Sequence, residues 1–199
     1  MIERRLEVLK SDVLELHKLA KRSVEICLDG LKGNDEIRRE TAKIEQMADV
    51  LNTDIDFNCV TAIALYQPVA RDLRFIISMM RISSSYERIT DLTQEISMYE
   101  CSDEFLLEKF DNMVDTLLTM FEVIERAYEG DTENLRKQLW ALDDLVDRYY
   151  VEAMDYMSEM CYSVDWVITA RHLERIGDLL GKIGARIIFI EEGRRVWIK

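Results

Sequence analysis

Four pairs of acidic residues recur in this chain with the same internal spacing: Glu45/Asp49, Glu87/Asp91, Asp143/Asp147 and Glu174/Asp178. On a helix, residues four apart lie one turn apart on the same face, so both carboxylates of a pair can reach one ion. Clustered carboxylate oxygens suit hard or borderline cations such as Mg, Mn, Ca or iron, more than zinc in a structural role. Spacing alone means little in a chain with 39 acids, where chance supplies roughly eight such pairs on solvated faces. Register is the better discriminator. Two of the pairs sit in near copies, SYERITDL at 85–92 and HLERIGDL at 172–179. Asp49 and Glu87 each lie 19 residues from Pro68 (68 − 49 and 87 − 68), so a hairpin turning there brings those two pairs level. Asp147 and Glu174 are equally distant from a point between Met160 and Cys161, on arms about five or six residues shorter.

These acids need long helices to hold them. Apolar residues three or four apart from Ile2 to Leu31 make one helical stripe, closed by Gly33 and Asn34. A second stripe runs from Ile37 towards Tyr66, and Pro68 is expected in the first turn of the third helix, which continues to about Tyr99. The pattern then restarts: Ser102 as N-cap, a fourth helix ended by Gly130, a fifth from about Asp131 to Met160, and a sixth from about Ser163 to Glu192, closed by Gly193. This predicts an all-α fold of two tandem antiparallel three-helix repeats, residues 1–100 and 101–199.

Composition narrows the function. The chain has 199 residues, 48% of them hydrophobic, with one proline and seven glycines, which favours long helices around a real core. A net charge of −13 disfavours nucleic acid and favours cations or basic protein surfaces as partners. Neither a signal peptide nor a membrane span is evident, so a cytoplasmic location is expected. Cys27, Cys59, Cys101 and Cys161 are isolated and are expected as small core residues. Trp140, Trp166, Trp197 and the ten methionines are expected to pack, and the tail GRRVWIK falls short of a polybasic anchor.

Level carboxylates on neighbouring helices repel unless a cation lies among them. That cation is either a metal or the side chains of Arg88, Arg175 and nearby bases in a salt-bridge network. A ferritin-like di-iron site needs Glu-x-x-His pairs, and neither His17 nor His172 has a glutamate three residues earlier. In the segment after Pro68, Asp72 suits a helix N-terminus, and Arg71 and Arg74 are placed to brace neighbouring helices.

The stretch IALYQPVARDLRFI at 63–76, followed by YERITD at 86–91 and later ARHLERIGD at 170–178, resembles the PhoU family of phosphate-uptake regulators over essentially the whole chain. The resemblance implies a cytosolic all-helical protein that helps control the phosphate-specific ABC transporter and, in many bacteria, restrains a phosphate sensor kinase; a homodimer is expected, and with no Ser-His-Asp or Cys-His set, glycine-rich phosphate loop or Walker motif in the sequence a non-enzymatic role is expected. Membrane association would come only through those partners. It also implies multinuclear metal clusters, with iron expected first and Mn, Mg, Ca or Zn as alternatives. By residue match the ligands are Glu45, Asp49, Glu87 and Asp91 in the first repeat and Asp143, Asp147, Glu174 and Asp178 in the second. The family's E-R-I-G-D-H-x-x-N pattern is broken here by Thr90, by Leu92 and Leu179, and by Glu95 and Lys182 at the asparagine positions. Glu95 adds an oxygen donor one turn beyond Asp91, whereas Lys182 brings an ammonium beside Asp178, so the first cluster is expected to bind metal more readily. Two competing readings are a metal-dependent hydrolase with a polynuclear carboxylate site and a metal-free helical scaffold.

Overall fold

Uninterrupted apolar stripes separated by a few breakers fold into six helices: α1 (Ile2–Leu31), α2 (Asp35–Tyr66), α3 (Ala70–Met98), α4 (Glu104–Tyr128), α5 (Leu135–Ser158) and α6 (Val164–Glu192). They are seen in a computed structural model that describes residues 2–159, 162–194, 196 and 198, among which no strand occurs. Cys161, Trp197 and the expected turn point between Met160 and Cys161 lie outside the described residues.

Each repeat is a three-helix unit in which every helix touches the other two. The repeats join through α1 against α4 and α3 against α6. Both pairings are antiparallel. Lys21 reaches Glu125 at 3.7 Å and Lys32 reaches Asp111 at 3.5 Å between α1 and α4. Arg71 meets Glu191 at 4.0 Å at one end of the α3–α6 pair, and Glu95 meets His172 at 2.7 Å near the other. The result is two layers: α2, α3, α6 and α5 side by side in front, with α1 and α4 behind. One apolar core runs through both repeats, including Leu9, Leu16, Tyr86, Ile89, Phe110, Phe121, Leu173 and Ile176. Burying each such side chain contributes about 1.5–3 kcal/mol.

The layers close tightly at two points. A Cβ on Gly30 would fall 2.6 Å from Ser97 Cβ, so only glycine lets α1 approach the end of α3 this closely. Arg38 then ties the two helix ends together: its Nε donates to Gly30 O (3.1 Å) and Ser97 O (2.9 Å), and its Nη2 to Tyr99 O (3.2 Å). These carbonyls lie at the C-terminal ends of α1 and α3, where a cationic donor is favoured, and Gly30 O also accepts from Gly33 N at 2.9 Å. At the junction of the repeats His17 is buried, with Nδ1 2.8 Å from Tyr86 Oη, and burial pushes its pKa down to about 4.

Several expectations need correction. Gln67, with a left-handed backbone (φ 46°), closes α2 through its N–H to Ile63 O. Pro68 therefore precedes the helix boundary at Val69 and lies outside the first turn of α3. Asp103, rather than Ser102, caps α4, its side chain accepting from Leu106 N. Residues 130–134 form tight turns closed by Asp131 N to Arg126 O and Leu135 N to Thr132 O, so α5 begins at Leu135 instead of Asp131. Trp140 is 51% exposed and Met47 and Met98 each 54%, so these do not pack as expected. Cys27, Cys59 and Cys101 are buried as expected. Trp166 is half-buried, and its Nε1 donates to Glu100 O across the repeats. Ser163 caps α6 and Gly193 (φ 72°) closes it.

Candidate metal centre

The level hairpins put the predicted acids within each other's electric field. In the first repeat, Glu45 has its carboxyl pKa raised, first by partial burial and then by Asp91 and Asp49. Glu87 is raised by burial and by Asp91, Asp49 and Glu45, with Arg88 opposing. In the second repeat burial again dominates at Glu174, opposed by Arg171 and reinforced by Asp178, Asp147 and Asp143. The mutual repulsion therefore falls into the two sets of four that the hairpin registry predicts. Both sets belong to the front layer, one on α2 and α3, the other on α5 and α6.

Bases already engage part of each set. Arg88 Nη1 donates to Asp91 Oδ2 at 2.8 Å and Arg171 Nη1 lies 2.8 Å from Glu174 Oε1. Lys182 Nζ stands 4.0 Å from Asp178 Oδ2, as its position one turn on requires. Arg175 lies close enough to His172 to depress its pKa further, behind the main effect of burial and against the pull of Glu95. Glu95 is paired across the repeats. Its Oε2 lies 2.7 Å from His172 Nε2 in the other repeat.

Among the described residues no three acid, histidine or cysteine side chains are drawn together closely enough to hold an ion as they stand. The donor chemistry nonetheless fits a hard cation: each set is all carboxylate, with glutamates raised first by burial and then by the set's own negative charge. Glu174 Oε2 is moreover buried with no hydrogen-bond partner. A cation would draw these side chains inward and satisfy that oxygen.

Three features escaped the sequence. Arg171, rather than Arg175, neutralises Glu174. His172 links the repeats, and its place inside HLERIGDL was the available signal. A cleft of about 700 Å³ opens between the repeats beside the second cluster, with Asp143, Asp178, Arg81, Lys182 and Arg186 among its lining residues. Its cationic side comes from Lys182 and Arg186, one and two turns beyond Asp178 on α6, and from Arg81 on α3 of the other repeat. No described helix is long and apolar enough to cross a membrane.

Comparison with known proteins bears on the whole chain. A PhoU domain model matches residues 13–99 and again 110–187. The chain is 49% identical over 197 residues to the "phosphate-specific transport system accessory protein PhoU homolog" of Archaeoglobus fulgidus, covering 99% of this chain and 98% of that one. It is 30% identical to the protein of the same description from Aquifex aeolicus, covering 96% and 93%. The fold matches the crystal structure of PhoU from Pseudomonas aeruginosa with a TM-score of 0.83 at 24% identity, covering 98% and 100%. The phosphate transport system regulatory protein PhoU of Streptococcus pneumoniae gives 0.77 at 22% identity, covering 98% and 99%. With both repeats matched and a near full-length relative at 49% identity, the chain belongs to the PhoU family.

Proposed function

We propose that this chain is a cytoplasmic, non-enzymatic regulator of phosphate uptake that acts through contacts with a phosphate-specific ABC transporter and, where the cell has one, a phosphate sensor kinase. The observation that carries this reading is end-to-end similarity to a relative named as the accessory protein of such a system. In this reading Glu45, Asp49, Glu87 and Asp91 hold one metal cluster and Asp143, Asp147, Glu174 and Asp178 a second, with iron first among the candidate metals. Bound cations would supply positive charge among the acids and coordination positions for an oxyanion such as phosphate. The chain's own contribution is to hold eight carboxylates on four rigid helices and to limit their charge with Arg88, Arg171 and Lys182.

The test is to isolate the tagged protein from phosphate-replete cells and identify what it retains. Components of the phosphate-specific transporter are expected. Their absence, together with turnover of p-nitrophenyl phosphate by the Fe- or Mn-loaded protein, would overturn the reading in favour of a metal-dependent hydrolase.

A further inference from the structure

The two repeats differ most on the outward faces of α2 and α5. On α2, Met47, Val50, Phe57, Val60 and Leu65 are between 54% and 71% exposed. Their spacing of three, seven, three and five residues places them on one face of a straight helix, opposite the buried Ile44, Ala48, Ile55, Cys59 and Ala62. The equivalent helix α5 exposes Trp140 and Val151, but with Arg136, Lys137, Arg148 and Glu152 exposed around them. Repeat architecture therefore does not require an apolar outer face, and α2 carries one that α5 lacks. The five residues present on the order of 500 Å² of apolar surface, at the scale of patches that mark interaction sites. With the polar residues between them they approach the roughly 800 Å² that one partner contributes to a standard interface.

Charge selects the occupant. Asp54 is exposed within the stripe, and Glu45, Asp49 and Asp56 line one flank; Arg39 and Lys43 are exposed bases towards the N-terminal end of this face. We propose that the outer face of α2 is a docking surface for an amphipathic helix of a partner protein, apolar along one side and flanked by lysines or arginines. The apolar stripe supplies contact area, and Asp54 and Asp56, which lie outside the proposed metal set, fix orientation and disfavour other occupants. A second copy of this chain would set the same acids against themselves in a symmetric pairing. An anionic membrane surface would be repelled by them. The inference deepens the regulator reading by giving the chemistry of the partner's binding segment, but it stands on α2 alone.

The probe is a synthetic leucine–lysine amphipathic helix about five turns long, with a leucine–glutamate helix of the same pattern as its counterpart. Fluorescence anisotropy at physiological salt follows binding to the full chain, circular dichroism confirms that each variant is folded, and sedimentation gives its oligomeric state. The leucine–lysine helix is expected to bind one to one, and Phe57→Ser with Val60→Ser to weaken it about tenfold, as loss of a central aromatic contact does. Asp54→Asn should weaken it by a few-fold and flatten its salt dependence. The pair Trp140→Ser and Val151→Ser on α5 should leave it unchanged. Equal affinity across all variants would mean unspecific attraction to an acidic protein, and equal affinity for the leucine–glutamate helix would remove the charge argument. Either result overturns the proposal, as would a wild-type dimer that Phe57→Ser dissociates, which would assign the face to a second copy. These outcomes leave the transporter retention test untouched, so the two readings fail separately.

Discussion

At the scale of single residues, the raised glutamates tie the cluster to pH. Glu45, Glu87 and Glu174 have folded pKa values above the ordinary 4.5, chiefly from burial and then from neighbouring acids, with Arg171 opposing at Glu174. Between the unfolded and folded values the folded chain holds more protons than the unfolded chain. The metal-free protein therefore loses stability as pH rises from about 4.5 through the raised values. Cations reverse this, because they bind the deprotonated carboxylates and bind better as pH rises. Glu87→Gln removes one of the repelling charges. The metal-free variant is expected to melt about 1–3 °C higher than wild type at pH 7, since exposed charge interactions are worth up to ~1 kcal/mol and each kcal/mol shifts Tm by ~2–4 °C in a chain of this size. Iron or manganese should raise the melting temperature of wild type and leave the variant little changed. A variant that melts lower without metal, and gains as much from metal as wild type does, would show that Glu87 is neither repelled nor a ligand.

At the scale of elements, much was legible because helical periodicity is a strong signal over thirty residues and a weak one at helix ends. The four pairs of acids were found by counting residues from the turns, and that works because the rise per residue is constant along both arms of a hairpin. At the start of α4 the cap falls on Asp103 instead of its equally suited neighbour Ser102; the other two boundary errors lie where backbone geometry outruns residue type. Gln67 takes a left-handed conformation that glycine or asparagine more often adopts, and the four residues 131–134 precede α5, which begins only at Leu135. The close approach of α1 to α3 at Gly30 was equally hidden, since a glycine inside a helix announces a contact without naming its partner. Gly30→Ala brings a Cβ within 2.6 Å of Ser97 Cβ and 3.0 Å of its backbone. This is expected to cost about 2 kcal/mol through overpacking, or about 4–8 °C in Tm. An unchanged or raised melting temperature would mean that α1 and α3 can move apart freely at that end.

At the scale of the whole molecule, duplication sets two similar carboxylate clusters in one layer and then lets them diverge. The second cluster has Lys182 beside Asp178 and Arg171 on Glu174, whereas among the described residues Arg88 alone pairs in the first. The sequence showed Lys182, because it lies one turn along the same helix. It gave Glu95 to the first cluster without showing its partner His172, which lies in the other repeat and which only the antiparallel packing of α3 on α6 brings close. With two basic side chains against one among the described residues, the second cluster is expected to hold cations more weakly, whether or not Glu95 joins the first. The most direct measurement is the metal content of protein purified without chelator or affinity tag, compared with the Glu87→Ala, Asp91→Ala variant and the Glu174→Ala, Asp178→Ala variant. Stoichiometric metal in the wild type is predicted, with the larger loss in the Glu87 and Asp91 variant. Wild-type protein that stays metal-free after incubation with Fe, Mn and Mg would contradict the account and leave the acids as a surface neutralised by arginine and lysine.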